Sequence, residues 1–296
     1  MKNKKQEWMR LGIFLLLAFA FTWIPAIILN KTVGYDTWFN GTKYGIVAQL
    51  VLFAVAAANV VTRLITKEGF GNSMLHLRLK GNVKYYLLAM LLPMVTELFA
   101  GLLVTLVYGE FDWQKITEQL SPMMMVGLFL TALGSAVPLA FVTFGEEFGW
   151  RAYMNPKMEK LMGVPATAIV GGIIWGVWHA PLTVEGHNFG KDYPGFPVVG
   201  ILLMSLFCIC TGCFLMWVTR KTGTVYPAAI WHAVNNFGSG IAMNLLLCGI
   251  DDFDALTSKI DFFVVAYIPT IIVGIIFFVL LVRDSHKQAA DPSAKI

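Results

Sequence analysis

Two adjacent carboxylates and an arginine, in the stretch GEEFGWR at 145–151, are residues that could do chemistry in an otherwise apolar part of the chain. Glu147 and Arg151 are four residues apart, so on a helix they share a face and can form an ion pair. Glu146 is rotated by about 100° from Glu147, lacks that partner and is free to act as a general base. The structural alternative is a charge cluster that only ends a helix.

Two histidines lie further along the chain, each in an apolar stretch without a formal charge. His179 occurs in WGVWHAPL and His232 in WHAVNN. His232 and Asn236 are four residues apart, so an imidazole and an amide face one point and could stabilise a developing oxyanion. The alternative for both histidines is a hydrogen bond that holds neighbouring helices together. Asn235 is one residue off that face, and we interpret it as structural.

The elements that must position these residues are membrane-spanning helices. The chain is 57% hydrophobic and only 14% charged, whereas a soluble domain has about 25% charged residues. Apolar stretches long enough to cross about 30 Å of hydrocarbon occur at 11–30, 44–62, 85–108, 121–145, 164–182, 197–219, 224–248 and 262–282. The sequence therefore predicts an all-α polytopic membrane protein with eight transmembrane helices.

The distribution of basic residues predicts the orientation. Most of the 22 lysines and arginines fall before the first span, after the second, fourth and sixth spans, and in the tail. The positive-inside rule then places both termini in the cytoplasm. We expect a multi-pass protein of a bacterial plasma membrane, whose net charge of +4 serves membrane anchoring and not nucleic-acid binding.

We expect a single structural domain with three parts. Residues 1–119 would form the first three helices, 120–250 a helical core that carries the chemistry, and 251–296 the last helix and a cytoplasmic tail. Residues 152–163 are more polar and would lie flat on the membrane surface between spans four and five.

Glu97, in the third span, is a further buried carboxylate with no assigned partner. It could hydrogen-bond one of the histidines or face a cleft open to the cytoplasm. A transporter that uses Glu97 and the two histidines as a proton relay is one alternative function. The lack of an internal repeat and the clustering of polar residues in the second half of the chain speak against it.

Three motifs occur in the order of the spans and resemble those of the CPBP family, the CAAX prenyl protease and bacteriocin-processing proteins also called Abi. The first is EExxxR, at Glu146, Glu147 and Arg151. The second is WxxxH with a following proline, at Trp175, His179 and Pro181. The third is HxxxN, at His232 and Asn236. The resemblance covers roughly 120–245. It implies a CPBP-type helical bundle and an intramembrane endopeptidase that acts on a membrane-associated or lipidated protein or peptide, in CAAX-type processing or in bacteriocin maturation or immunity.

The resemblance also implies roles for the individual residues. Glu146 and His179 would activate the attacking water, and His232 and Asn236 would hold the oxyanion. Glu147 and Arg151 would fix the geometry. The second motif usually begins with Phe, and Trp175 in its place bears on packing more than on chemistry.

Cofactor use and catalysis itself are left open by the motifs. The family is often described as metal-dependent, which makes Glu146, His179 and His232 candidate ligands for a divalent metal such as zinc. The chain has no HExxH helix, and we favour a mechanism in which glutamate acts without a metal. The main alternative function is a non-catalytic immunity or scaffold protein of the same family that binds a partner protein.

Helix geometry raises one difficulty for the proposed site. With the span boundaries given above, Glu146 lies near the cytoplasmic end of span four. His179 lies about 20 Å along span five, at 1.5 Å per residue. The two residues meet only if span four extends through 151, or if span five is tilted or begins deeper.

Overall fold

The computed structural model describes residues 2–108, 114, 117, 118, 121–239, 255, 256 and 258–291. Every regular element in this part of the chain is helical. The α-helices are α1 (Lys2–Thr32), α2 (Gly45–Leu52), α3 (Ala54–Ile65), α4 (Val83–Tyr108), α5 (Pro122–Gly149), α6 (Asn155–Met162), α7 (Val164–Trp178), α8 (Ala180–Thr183), α9 (Val198–Thr222), α10 (Tyr226–Val234) and α11 (Ile260–Ala290). Short π-helical segments lie at Asp36–Asn40, Trp150–Met154 and Asn235–Ser239.

The number of membrane spans differs from the prediction of eight. Among the described residues, five helices are long and apolar enough to cross a membrane: Lys4–Thr32, Val83–Tyr108, Pro122–Met162, Val198–Thr222 and Ile260–Ala290. The pair α2 and α3, bent by 44°, forms a sixth candidate. The all-helical membrane fold is confirmed, but the count of eight is not.

The predicted fifth and seventh spans account for this difference. In place of the fifth, α7 ends at Trp178, since Pro181 has no N–H to continue the α-helical hydrogen bonds. In place of the seventh, α10 ends at Val234 and a π-helical segment follows. Residues 240–248 of that prediction lie outside the described residues.

The fourth span is longer than predicted. α5, the π-helical segment Trp150–Met154 and α6 form one helical run of 41 residues, Pro122–Met162. Most of residues 152–163 thus continue this helical run and do not form the separate segment that was expected between two spans. All five residues of Trp150–Met154 are buried, and Trp150, Tyr153 and Met154 pack in the hydrophobic core. Glu146 thus lies inside a long helix and not at its end, which removes the difficulty over its depth relative to α7.

Glycines let the helices that carry the motifs approach one another closely. A Cβ atom on Gly172 would lie 2.4 Å from the Cα of Ile209, and one on Gly176 would lie 2.3 Å from the Cα of Ser205. Small residues at such crossings are typical of membrane bundles. α7 is therefore held directly against α9, with Trp175 and His179 on the adjoining turns.

Candidate active site

Glu146 lies in α5 and is 3% exposed. Its Oε2 accepts a hydrogen bond from Nε1 of Trp175, on α7, at 2.9 Å. No described residue donates to Oε1 of Glu146. One carboxylate oxygen is thus held in place while the other is available to a water molecule or a substrate.

Glu147 is fully buried and links two other motif residues. Its Oε1 lies 2.8 Å from Nδ1 of His232, and its Oε2 lies 3.0 Å from Nε of Arg151. A carboxylate only accepts hydrogen bonds, so Nδ1 of His232 carries the proton and Nε2 faces away from Glu147. Glu147 therefore sets both the tautomer and the ring orientation of His232 while it compensates the charge of Arg151.

A hydroxyl group aligns the two helices that carry this pair. Thr143 on α5 donates from Oγ1 to the backbone carbonyl of Ala229 on α10 at 2.7 Å. Each of these residues lies three positions before a motif residue, Glu146 in one case and His232 in the other. The sequence reasoning missed Thr143, since a threonine in an apolar helix usually bonds its own backbone.

Trp175 is the centre around which the motif side chains gather. Its ring centroid lies 5.9 Å from that of His179 and 5.6 Å from that of His232. Cζ of Arg151 lies 4.3 Å from the Trp175 ring centroid, a cation–π contact. The motif pattern singled out Trp175 as an aromatic position, but not as the residue that contacts all four of Glu146, Arg151, His179 and His232.

His179 follows α7 directly and is 7% exposed. Its Nδ1 lies 2.9 Å from the backbone carbonyl of Trp175, one turn earlier. A carbonyl accepts, so this contact places the proton on Nδ1 and leaves the lone pair of Nε2 free to accept a proton or a hydrogen bond. Trp178 packs edge-on against the ring, with centroids 4.9 Å apart.

Asn236 is placed differently from the other motif residues. It lies in the π-helical segment Asn235–Ser239, and its side chain is exposed. Its Oδ1 accepts a hydrogen bond from Nδ2 of Asn235 at 3.1 Å, and no hydrogen bond of the described residues joins it to His232. The four-residue spacing from His232 therefore does not bring the two side chains into a hydrogen bond in this structure.

Glu97 lines a small cavity apart from this cluster. The cavity has room for about one water molecule. Its lining residues come from α4, α9, α10 and its π-helical extension, and α11: Pro93, Thr96, Glu97, Thr211, Phe214, Trp231, Asn235, Thr270 and Val273. Glu97 makes no described hydrogen bond with either motif histidine, so the first of its two expected roles is not seen.

The side chains named as candidate metal ligands do not fit that role in this arrangement. Among the described residues, no group of three or more His, Cys, Asp and Glu side chains is placed to hold a metal ion. No step of the chemistry below is therefore routed through a metal.

A second buried charged cluster was not foreseen from the sequence. Lys157 Nζ lies 3.0 Å from Glu7 Oε2 and also pairs with Glu68, while Arg10 Nε lies 3.5 Å from Glu68 Oε2. Burial alone would raise the pKa of Glu68, but the hydrogen bond and charge of Lys157, together with the charge of Arg10, outweigh it and hold that pKa below its usual value. The cluster ties the start of α1 to α6 and to the loop after α3.

Comparison with known proteins places these motifs in a family. Residues 122–238 match the family model described as Type II CAAX prenyl endopeptidase Rce1-like. This interval contains all the motif residues, Glu146 to Asn236.

Curated relatives agree with that match. The chain is 25% identical over 300 residues to lysostaphin resistance protein A of Staphylococcus epidermidis, which covers 98% of this chain and 69% of that protein. It is 24% identical over 198 residues to the protein of the same name from Staphylococcus haemolyticus, covering 67% of this chain and about half (47%) of that protein. It is also 24% identical over 233 residues to CAAX prenyl protease 2 of Methanococcus maripaludis, and the match covers 74% of this chain and 82% of that protein. The family model and these relatives agree with the resemblance to CAAX prenyl proteases that the three motifs indicated.

Proposed function

We propose that this protein is an intramembrane endopeptidase. The observation that carries the proposal is the placement of Glu146. Its carboxylate is buried among apolar helices, is held on one side by Trp175 and has a second oxygen that no described residue occupies. A carboxylate in such a place is costly unless it is used.

The chemistry would proceed by general base catalysis. Glu146 takes a proton from a water molecule, whose oxygen attacks the carbonyl carbon of the scissile peptide bond. The free Nε2 of His179 accepts a hydrogen bond from the same water and orients it. When the carbon–nitrogen bond breaks, Glu146 returns the proton to the leaving amine, so the two products are a carboxylate and an amine.

The oxyanion of the tetrahedral intermediate needs hydrogen-bond donors. A protonated His232 would donate from Nε2 while its Nδ1–H stays on Glu147. Asn236 would supply the second donor from its amide nitrogen. Because the Asn236 side chain is exposed and bonded to Asn235, its part requires a rotation toward His232 when substrate binds.

The substrate we propose is a membrane-associated or lipidated protein or peptide. One relative is named as a CAAX prenyl protease, and a site buried in the bundle favours a substrate that already lies in the membrane. We also propose that both termini face the cytoplasm of a bacterial cell, with the site open to that side.

The proposal is tested with the full chain in liposomes and a synthetic peptide with a prenylated C-terminal CaaX sequence. Mass spectrometry would follow cleavage by the wild-type protein and by Glu146→Gln. A second arm compares the membrane peptides of cells that carry either form, which detects substrates of other classes. Products that depend on Glu146 in either arm support the proposal. Identical profiles in both arms contradict it.

The second candidate function is a non-catalytic immunity or scaffold protein. It is favoured by the relatives named lysostaphin resistance protein A and by the exposed side chain of Asn236, which bonds Asn235. In that case Glu146→Gln would leave the cellular phenotype unchanged at equal expression.

A further inference from the structure

α1 makes hydrogen bonds with two residues close to His179 in the chain, Trp178 and Pro181. Nε1 of Trp23 donates to the backbone carbonyl of Trp178 at 3.0 Å. Nε1 of Trp178 in turn donates to Oγ1 of Thr22 at 2.9 Å. Nδ2 of Asn30 donates to the backbone carbonyl of Pro181 at 2.9 Å. Three side chains of one helix thus bond the residues on either side of the histidine.

The two carbonyls that α1 satisfies are those that the break after α7 leaves without a helical partner. In a continuous helix the carbonyl of Trp178 would accept from the N–H of Leu182, but that N–H bonds the carbonyl of His179 instead. The carbonyl of Pro181 would accept from Glu185, whose N–H bonds Leu182. A buried carbonyl without a donor costs free energy, so the break at His179 depends on the donors that α1 supplies.

The ring next to His179 is held by the same contacts. Trp178 is 1% exposed and meets the imidazole of His179 edge-on, with ring centroids 4.9 Å apart. Its indole N–H is fixed by Thr22, which is also buried. A rotation of Trp178 would therefore break this hydrogen bond and open space beside His179.

The amide of Asn30 is fixed at both ends. Its Oδ1 accepts from Nε1 of Trp38 at 2.7 Å, while its Nδ2 donates to Pro181. These two partners assign the orientation of the amide, because a flipped amide would place its NH₂ group against the indole N–H of Trp38, and both groups are donors. Trp38 is fully buried, so Asn30 connects Pro181 to a side chain packed in the interior.

We infer that Thr22, Trp23 and Asn30 are positioning residues for His179. α1 lies outside the interval 122–238 that matches the family model, so a helix beyond the matched core supports the orientation of a motif residue. The effect on catalysis rests on the proposed function, whereas the orientation of His179 can be measured without it.

The test uses Trp23→Phe, which keeps an aromatic ring and removes only the indole N–H. The matched control is Trp217→Phe, which removes an indole N–H that donates to Asp284 at 3.3 Å between α9 and α11, away from the site. Two quantities are measured on the full chain in liposomes. One is the rate at which diethyl pyrocarbonate modifies His179, with the exposed His76 as an internal reference, and the other is kcat and KM for cleavage.

We expect Trp23→Phe to change the modification rate of His179 relative to His76 by severalfold. We expect kcat to fall by about tenfold with KM little changed, as for a misaligned catalytic group. Trp217→Phe should alter neither quantity. If Trp23→Phe does not fold, Thr22→Val replaces it, since this change keeps the shape and removes the acceptor for Trp178.

The outcomes separate the two proposals. If Trp23→Phe changes the modification rate of His179 but the wild-type protein cleaves no substrate, the positioning role is supported and the proposed protease activity is overturned. Cleavage that depends on Glu146 but is unaffected by Trp23→Phe, with equal modification of His179, overturns the positioning role alone. Equal effects of Trp23→Phe and Trp217→Phe also overturn it, because they would show a general loss of stability.

Discussion

The indole N–H of Trp175 donates to the carboxylate of Glu146 at 2.9 Å and so joins α7 to α5. A phenylalanine, the residue that the family motif more often has at this position, could not make this bond. Here the carboxylate that we propose as the base is held by a side chain that also contacts both motif histidines. The aromatic position of the second motif is therefore part of the polar site and not only of its packing.

The change Glu146→Gln should abolish cleavage. Glutamine can still accept from Trp175 but cannot take a proton from water, so activity should fall by about 10²-fold or more. Product formation in liposomes is the measurement. Glu159→Gln is the control, since Glu159 lies on the same helical run and pairs with Arg220 outside the site. Loss of activity in both variants alike would count against a specific role for Glu146.

Removal of Glu147 should destabilise the bundle. Glu147→Ala leaves Arg151 buried without its counter-charge, which costs about 3–5 kcal/mol of unfolding free energy for a buried pair. SDS-induced unfolding of the purified protein measures this. The double variant Glu147→Ala with Arg151→Met should recover a large part of the loss, because no unpaired charge remains. A double variant as unstable as the two single changes combined would contradict the ion pair as the cause.

Close approach of α7 and α9 should make Gly176 intolerant of a side chain. A Cβ atom on Gly176 would lie 2.3 Å from the Cα of Ser205, whereas one on Gly212 would meet nothing within 4 Å. Gly176→Ala should therefore lower the unfolding free energy by about 1–3 kcal/mol. Gly212→Ala, on α9, should be neutral or stabilising. Thermal unfolding of the two variants side by side checks the difference, and equal midpoints would refute it.

Stability should decline at acid pH in a way that depends on Glu68. Because the pKa of Glu68 in the folded protein lies below its ordinary value of 4.5, the unfolded chain binds more protons as the pH falls. The contribution of Glu68 is therefore complete above about pH 4.5 and is lost as the pH falls through the folded-state pKa.

Glu68→Gln tests this pH dependence. The variant should be less stable than wild type at pH 7, and the difference should shrink below pH 4.5. Thermal midpoints in detergent across this range are the measurement. Glu185→Gln is the control. The side chain of its partner Lys191 is 51% exposed, and exposed ion pairs contribute little to the free energy of unfolding. A constant difference at all pH values would contradict the linkage.

Chelation should leave the proposed activity unchanged. Among the described residues, no three His, Cys, Asp or Glu side chains are placed together to hold a metal ion, and we propose that glutamate activates the water without a metal. Cleavage after treatment with EDTA or 1,10-phenanthroline is the measurement. Inhibition that added zinc reverses would show that the metal-free mechanism is wrong.

The sequence by itself determined the class of protein and the residues of the motifs. A chain that is 57% hydrophobic can only be accommodated in a membrane, and backbone hydrogen bonds must then be satisfied within helices. The four-residue spacing of Glu147 and Arg151 was enough to predict their pairing, and the pair forms although Arg151 lies in the π-helical segment that follows α5. These features depend on composition and on local periodicity, which a sequence carries directly.

The tertiary structure decided which helices meet and where regular periodicity ends. The contacts of Glu146 with Trp175 and of Glu147 with His232 join residues far apart in the chain, and glycines on α7 set how closely α7 packs against α9. The bonds from Thr22, Trp23 and Asn30 exist only because α1 packs beside the break at His179. Asn236 is exposed and bonds Asn235, although its four-residue spacing from His232 predicted a shared face. Such features follow from close packing between helices. One added Cβ atom can prevent two helices from approaching, and one buried carbonyl without a donor costs free energy, so both affect which helices pack together.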